Sequence, residues 1–138
     1  MKGLSLIILV LSLCQINYAQ YILTDKLVGT NNEGIINQGV SVKISDFGNI
    51  AVVGGLGAVW IYSYDGSNFI PLGDKIKAPL SDSVKFGYDV DISEDGKVLV
   101  IGGLRESADF EYVGGFYVYT FNGLAYVQNG ERVECSGS

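Results

Sequence analysis

The sequence predicts an all-β protein, and composition, hydrophobic patterning and an internal repeat support that fold class. Glycine makes up 19 of 138 residues, about double the usual frequency of about 7%. Nine tyrosines and six phenylalanines supply side chains that favour strands. Short apolar runs alternate with polar residues, and no segment shows helical periodicity. We therefore expect short strands joined by tight, glycine-containing turns.

The composition also excludes several classes of function. The chain has no histidine, so it cannot build a Ser-His-Asp triad, a Cys-His pair or an imidazole metal site by itself. Its net charge of −6 disfavours a nucleic-acid partner, because nucleic-acid binding relies on clustered Lys and Arg. An acidic extracellular protein is the expectation.

Residues 1–19 have the pattern of a secretory signal peptide. Lys2 precedes an apolar run over 4–13, and a more polar stretch ends at Ala19, so cleavage is expected near Ala19–Gln20. The apolar run is too short to span a bilayer, which needs about 20 apolar residues. No second run of membrane-spanning length follows, so the mature chain is expected to be secreted without an integral membrane segment.

The mature chain contains an internal repeat, and this repeat decides the fold prediction. Residues 38–45 align with 86–93 and, after nine additional residues in the second copy, 57–62 align with 114–119. Alternating apolar residues between turn residues predict four strands in each copy. The expected strands are 40–44, 50–54, 58–64 and 68–76 in the first copy and 88–92, 98–102, 115–121 and 125–133 in the second.

A four-stranded unit of about 50 residues is typical of a β-propeller blade. We therefore expect two complete antiparallel blades, at 37–84 and 85–134. Residues 20–36 match only the end of a blade and are expected to form an orphan fourth strand with a linker. Residues 135–138 are expected to begin a truncated connection to a missing blade. Because two blades cannot close a ring, we expect the chain to be part of a larger propeller, with self-association of copies as the alternative.

These motifs resemble the FG-GAP repeats of integrin α-subunit head propellers. The resemblance rests on Phe86–Val90 (Phe-Gly-Tyr-Asp-Val), Gly57–Tyr62 (Gly-Ala-Val-Trp-Ile-Tyr) and Asp25–Thr30, and it covers residues 21–133. The first copy departs with Gln38 in place of the phenylalanine, and both copies carry Gly-Gly-Leu where the family has Gly-Ala-Pro. Kelch propellers also place Gly-Gly after a strand and are the alternative family.

The resemblance raises the question of calcium, because integrin-type blades bind it in their first hairpin. The corresponding turns are 45–49 and 93–97, with one and two acidic residues. A Ca²⁺ ion takes 6–8 oxygen ligands, so turns with this few carboxylates do not supply a cage. We expect plain hairpin turns, with no metal site and no cofactor.

Asp89 and Asp91 are the one carboxylate pair with a spacing known from catalysis. Two residues apart on a strand, they share a face at about 6.5–7 Å, which overlaps the separation of paired carboxylates in glycosidases. Their counterparts in the first copy are Ser41 and Lys43. We therefore expect a polar strand face, with Lys43 as an ion-pair partner, and no catalytic residues.

The nine-residue insertion is the candidate for ligand recognition. It lengthens the connection between the second and third strands of the second copy, and in integrin-like propellers this type of loop meets ligands. Charged and aromatic residues of this kind dominate the energy of many interfaces, although a surface insertion without function is the alternative. The candidate ligand-binding residues are Arg105, Glu106, Asp109, Phe110, Glu111 and Tyr112.

Aromatic residues also recur along the third strand of each copy. Their register in the repeat predicts packing between blades, with a carbohydrate-stacking platform as the alternative. The residues concerned are Trp60, Tyr62, Tyr64, Tyr117, Tyr119 and Phe121.

The resemblance implies a secreted or surface-exposed, non-catalytic module that acts in binding or adhesion, with a protein or glycan ligand. Three alternatives stay open: a Kelch-like interaction module, a self-assembling structural protein, and a fragment of a larger propeller enzyme.

Overall fold

The computed structural model describes residues 26–29, 37–78, 85–106 and 112–134. The expected signal peptide, most of the expected orphan strand and residues 135–138 lie outside the described residues. Within the described ranges the protein is all-β, as predicted, and no helix there has the length and apolar character that a membrane span requires.

The first repeat forms one antiparallel sheet, which we call the first sheet. It runs β1–β2–β3, and two short strands, β4 and β5, both pair with β3. The pairs Tyr62–Pro71 and Val59–Ile76 leave two residues of β3 opposite four residues of the partner chain. The predicted fourth strand is therefore divided by a bulge. The strands are β1 (Ser41–Ile44), β2 (Ile50–Gly54), β3 (Ala58–Tyr64), β4 (Phe69–Pro71) and β5 (Ile76–Lys77).

The second repeat forms the second sheet, which has the same topology. It runs β6–β7–β8, and β9 and β10 share the fourth position on β8. The bulge recurs. Between the pairs Tyr119–Gln128 and Phe116–Val133, two residues of β8 lie opposite four residues of the segment that joins β9 to β10. The prediction of two four-stranded antiparallel sheets is confirmed. The strands are β6 (Asp89–Ile92), β7 (Val98–Glu106), β8 (Tyr112–Phe121), β9 (Tyr126–Gln128) and β10 (Val133–Glu134).

The first hairpin turn of each sheet is built around one serine. Ser93 Oγ accepts hydrogen bonds from the Val98 amide at 2.9 Å and the Lys97 amide at 3.1 Å, and the Gly96 amide donates to the Ser93 carbonyl at 2.9 Å. Gly96 has φ +72°, a left-handed conformation that glycine adopts without strain. Ser45 makes the equivalent bond to the Ile50 amide at 3.1 Å. The recurrent serine is therefore a turn residue.

The two sheets stack face to face around the main core. We call the side of the first sheet that meets the second sheet its front and the opposite side its back, and we use the same names at equivalent positions of the second sheet. The front of the first sheet thus packs on the back of the second. The core contains Val52, Val59 and Ile61 from the first sheet and Phe86, Val90, Leu99, Ile101, Tyr117 and Tyr119 from the second repeat.

Glycines allow the backbones of the two sheets to approach closely. A Cβ placed on Gly54 would lie 2.1 Å from the Gly87 carbonyl oxygen. The Gly57 amide donates to the Phe86 carbonyl at 2.8 Å, and the Ser41 hydroxyl donates to the Gly87 carbonyl at 3.0 Å. A substituted residue at position 54 would force the sheets apart and break these bonds.

The back of the first sheet carries a smaller apolar cluster. Ala51, Val53, Ala58, Trp60 and Tyr62 are buried there, with Leu27 and Phe69 packed against them. Residues 26–29 cross this face, where a Cβ on Gly29 would overlap the Trp60 ring. Gln38 fixes the crossing, because its side-chain oxygen accepts from the Gly29 amide at 2.6 Å and its side-chain nitrogen donates to the Tyr62 hydroxyl at 3.0 Å.

Candidate interaction surface

The β7–β8 hairpin is the most distinctive feature of the second sheet. In the first sheet β2 and β3 stop pairing at Gly54–Val59. The equivalent pair of the second sheet is Gly102–Phe116, and the strands continue beyond it through four more pairs to Glu106–Tyr112. At about 3.3 Å per residue the hairpin projects about 13 Å further than its counterpart.

This extension corrects the strand bounds predicted from the sequence. Strands expected at 98–102 and 115–121 run instead over Val98–Glu106 and Tyr112–Phe121. The first two and last two inserted residues continue the two-stranded ladder, and none of these four positions is a proline, while Tyr112 and Val113 favour strands. These ends of the predicted loop are therefore strand, and residues 107–111 lie outside the described residues.

Three of the six candidate ligand-binding residues lie in strands, and the other three lie outside the described residues. Arg105 and Glu106 end β7, Tyr112 begins β8, and the backbone pairs Glu106 with Tyr112. Asp109, Phe110 and Glu111 lie outside the described residues. The structure thus brings the first three to the distal end of one hairpin, with the others between them in sequence.

The base of this hairpin is held firmly in place. A Cβ on Gly103 would lie 3.0 Å from the Phe86 Cα, and one on Gly115 would lie 2.7 Å from the guanidinium of Arg132. Arg132 is in turn fixed by its bond to the Glu134 carboxylate at 2.6 Å. The hairpin therefore extends from a closely packed base.

The predicted ion pair of Asp91 is present. Lys43 Nζ lies 3.3 Å from the Asp91 carboxylate and joins the first strands of the two sheets. Both side chains are more than half exposed, so the pair contributes little to stability, about 0–1 kcal/mol. Asp89 and Asp91 line a shallow groove of about 240 Å³ on the front of the second sheet, next to Val100 and Phe116.

In the first hairpin turn of the second sheet, the Asp95 carboxylate accepts hydrogen bonds from groups of the same turn. Asp95 accepts from the Ser93 hydroxyl at 2.8 Å and from the Lys97 amide at 3.0 Å. These hydrogen bonds hold the pKa of Asp95 below its usual value; the bond from the Ser93 hydroxyl has the larger effect and the bond from the Lys97 amide the next largest. Among the residues that the structure describes, no three Asp, Glu or Cys side chains group so that they could hold a metal ion.

Four of the six aromatic residues are buried, but the predicted packing between blades holds only for Tyr117 and Tyr119, because Trp60 and Tyr62 pack in the cluster on the back of the first sheet. Trp60 is 4% exposed and Tyr117 is 2% exposed, with the Tyr117 ring edge-on to Phe86 at 5.4 Å. Burial first, and then the neighbouring Tyr117, raises the pKa of Tyr119 to about 12. Tyr64 is more exposed, at 45%, and its ring lies tilted against Phe69, with 5.3 Å between the ring centroids, at the margin of the first sheet.

Sequence reasoning missed two open apolar surfaces. One is a groove of about 430 Å³ on the back of the first sheet, lined by Leu27, Val42, Ile44 and Val53 among others. The other is the front of the second sheet. The repeat alignment could have identified them. The back of the second sheet and the front of the first sheet are covered, and the open faces are their equivalents in the other sheet.

Comparisons of the chain with protein-family models, with curated proteins and with solved structures give no match. The FG-GAP resemblance therefore stays a prediction from the motifs of the sequence.

Proposed function

We propose that the chain is a secreted or surface-exposed, non-catalytic binding module of the FG-GAP β-propeller type, and that its β7–β8 hairpin contacts a protein or glycan ligand. One observation carries this proposal: the four added strand pairs place Glu106 and Tyr112, within an insertion of three acidic residues, one arginine and two aromatic residues, about 13 Å beyond the end of the equivalent hairpin. Backbone pairing restricts the conformations of the strand residues before binding, so they lose less conformational entropy on binding than an unpaired loop would.

The propeller assignment draws support from how the sheets repeat. Two four-stranded sheets of one topology stack front to back, with the same bulge in the fourth position. Stacked antiparallel sheets of this size are the units of propellers. The secreted location draws support from residues 1–19 alone, with their charged start, apolar run and small residue at 19.

A deletion in the hairpin tests the recognition proposal. Removal of residues 105–113 joins Leu104 to Gly114 and recreates the Leu56-Gly57 connection of the first repeat. The secreted chain and the variant would be compared on arrays of extracellular-matrix proteins and glycans. We expect the parent chain to bind a defined member and the variant to bind it at least about tenfold more weakly.

A matched control changes a different exposed turn. Leu124 is 83% exposed between β8 and β9, and Leu124→Lys should bind like the parent. Circular dichroism and urea unfolding would show that the deletion variant keeps its fold. Undiminished binding by a folded deletion variant would remove the hairpin from the proposed site.

Secretion has its own test. The full chain would be expressed in a secreting host, and the N-terminus of the product in the medium would be sequenced. We expect it to begin at or near Gln20. A product that stays inside the cell with residues 1–19 attached would overturn the localisation.

A further inference from the structure

The back of the first sheet corresponds in the repeat to the back of the second sheet, and the front of the second corresponds to the front of the first. The two open faces therefore match the two faces that already pack against each other inside the chain. Inside the chain, the front of the first sheet packs on the back of the second. The remaining two faces carry the equivalent residues and are partly open. We propose that they bind each other between molecules, so that a second copy of this chain docks head to tail.

The exposed fractions show that both faces are short of a partner. Val42 and Ile44 on the back of the first sheet are 55% and 52% exposed, whereas their counterparts Val90 and Ile92 are buried and half-buried. Val98 on the front of the second sheet is 39% exposed, although its counterpart Ile50 packs against the core. Covering apolar side chains of this kind is the usual driving force for association.

A glycine gives the most specific support. Gly54 must be glycine because of the close approach of Gly87. Its counterpart Gly102 has no such neighbour among the described residues: the closest described atom to a Cβ there would be the Asp89 carbonyl oxygen at 3.4 Å, an ordinary contact. Glycine weakens a strand interior and often marks close approach of another backbone. The counterpart of Gly87 is Gly39, which lies on the open back of the first sheet with nothing within 4 Å of its Cβ position.

Charge complementarity favours a copy of the same chain as the occupant. In the internal interface Lys43 pairs with Asp91 of the following sheet. In the contact between molecules, Asp91 of one copy takes the position that Lys43 has in the internal interface. It then faces Lys43 of the incoming first sheet in addition to the Lys43 with which it pairs in its own chain. Asp89 adds a second negative charge on that side. Opposite charges at matching positions set the register of an interface and speed its formation.

Residues 26–29 leave room for this contact. Leu27 lies at one edge of the back groove, and among the described residues the remainder of the groove is open. Asp25-Lys26-Leu27 aligns with Asp74-Lys75-Ile76, and Ile76 packs in the same way at the edge of the main core. One internal bond has no equivalent between copies, because Asp89 replaces Ser41 and a carboxylate has no proton to donate to a carbonyl. We therefore expect a moderate dissociation constant of about 10 µM.

Sedimentation velocity of the secreted chain over about 1 to 100 µM tests the proposal. We expect the average mass to rise with concentration. Gly102→Val blocks the front without touching the internal interface, and Val42→Lys blocks the back. Each variant should be a folded monomer by circular dichroism and urea unfolding, with association at least about tenfold weaker. Leu124→Lys lies outside both faces and should associate like the parent.

Mixing the two blocked variants gives the decisive result. Gly102→Val keeps an intact back and Val42→Lys keeps an intact front, so an equimolar mixture should form one-to-one heterodimers and stop there. A parent chain that stays monomeric at about 100 µM would overturn the proposal. So would variants that associate like the parent, or a mixture that stays monomeric. None of these outcomes depends on ligand binding by the hairpin, so the test is independent of the proposed function.

Discussion

Val42 and Val90 occupy the same position in the two repeats, yet Val42 is 55% exposed and Val90 is 2% exposed. The same contrast separates Gln38, which bonds to the 26–29 segment, from Phe86, which is fully buried between the sheets. At positions 42 and 90 the residue type is identical and only its burial differs. The difference comes from the neighbour: the second sheet has the first sheet against its back, whereas the first sheet has only residues 26–29 there among the described residues.

Each sheet is apolar on both faces, and such a sheet requires a layer on each side. The first sheet supplies one of these layers to the second and receives one from it. Substitutions made in pairs at equivalent positions measure how much each layer contributes, because the local strand context is held nearly constant.

The largest difference is expected at positions 86 and 38. Phe86→Ala removes a fully buried ring that contacts Tyr117, and it should lower the free energy of unfolding by about 4 kcal/mol. Gln38→Ala should cost about 1 kcal/mol through its lost hydrogen bonds. Urea unfolding followed by circular dichroism measures both. Equal losses would contradict the contrast, and Phe86→Leu serves as a milder variant if Phe86→Ala does not fold.

A second pair tests the close approach of the sheets. Gly54→Ala places a methyl group within 2.1 Å of the Gly87 carbonyl oxygen and should cost about 3 kcal/mol. Gly102→Ala has room for its methyl group and should change stability by less than about 0.5 kcal/mol. The measurement is urea unfolding at low protein concentration, so that association does not contribute. A large loss at Gly102 would mean that the second sheet is constrained in a way the first is not.

Substitutions at Val90 and Val42 measure how much burial of the first strand's back face contributes to the free energy of unfolding in each sheet. Val90→Ala leaves a cavity between the sheets and should cost about 2 kcal/mol. Val42→Ala removes exposed methyl groups and should cost less than about 0.5 kcal/mol. Thermal unfolding at low concentration reports both values. If the two costs agree, Val42 must be covered by part of the chain outside the described residues.

The smallest effect at neutral pH concerns two tyrosines of the second sheet. Burial, and then Asp95, raises the pKa of Tyr126 to about 12, and burial likewise raises the pKa of Tyr119 to about 12, both from 10.0. Because the fold favours the neutral phenols, their contribution to stability is complete below pH 10 and is lost between about pH 10 and 12.

Urea unfolding at stepped pH, together with tyrosinate absorbance, tests this expectation. Tyr126→Phe should flatten the fall in stability between pH 10 and 12, and Phe69 at the equivalent position of the first sheet shows that the repeat accepts phenylalanine. Tyr88→Phe, at a residue 55% exposed, is the control. An unchanged alkaline profile in Tyr126→Phe would show that this phenol does not contribute.

Much of the fold was predictable because its determinants are local. Alternating apolar residues gave the strand positions, and serine and glycine gave the turns, as at Ser93 and Gly96. The divided fourth strands and the paired extension of the β7–β8 hairpin were not predicted. Both depend on which residues of a neighbouring strand lie opposite, and a single strand does not carry that information.

For the candidate site, the sequence by itself determined the position and composition of the insertion, together with the alternation that divides the side chains of each strand between two faces. Only the tertiary structure decided which faces are covered, that Gly54 meets Gly87 while no described residue approaches Gly102 as closely, and that Arg105 and Tyr112 belong to paired strands. The physical reason is that strand periodicity arises from neighbours in the chain, whereas burial arises from layers brought together by hydrophobic packing.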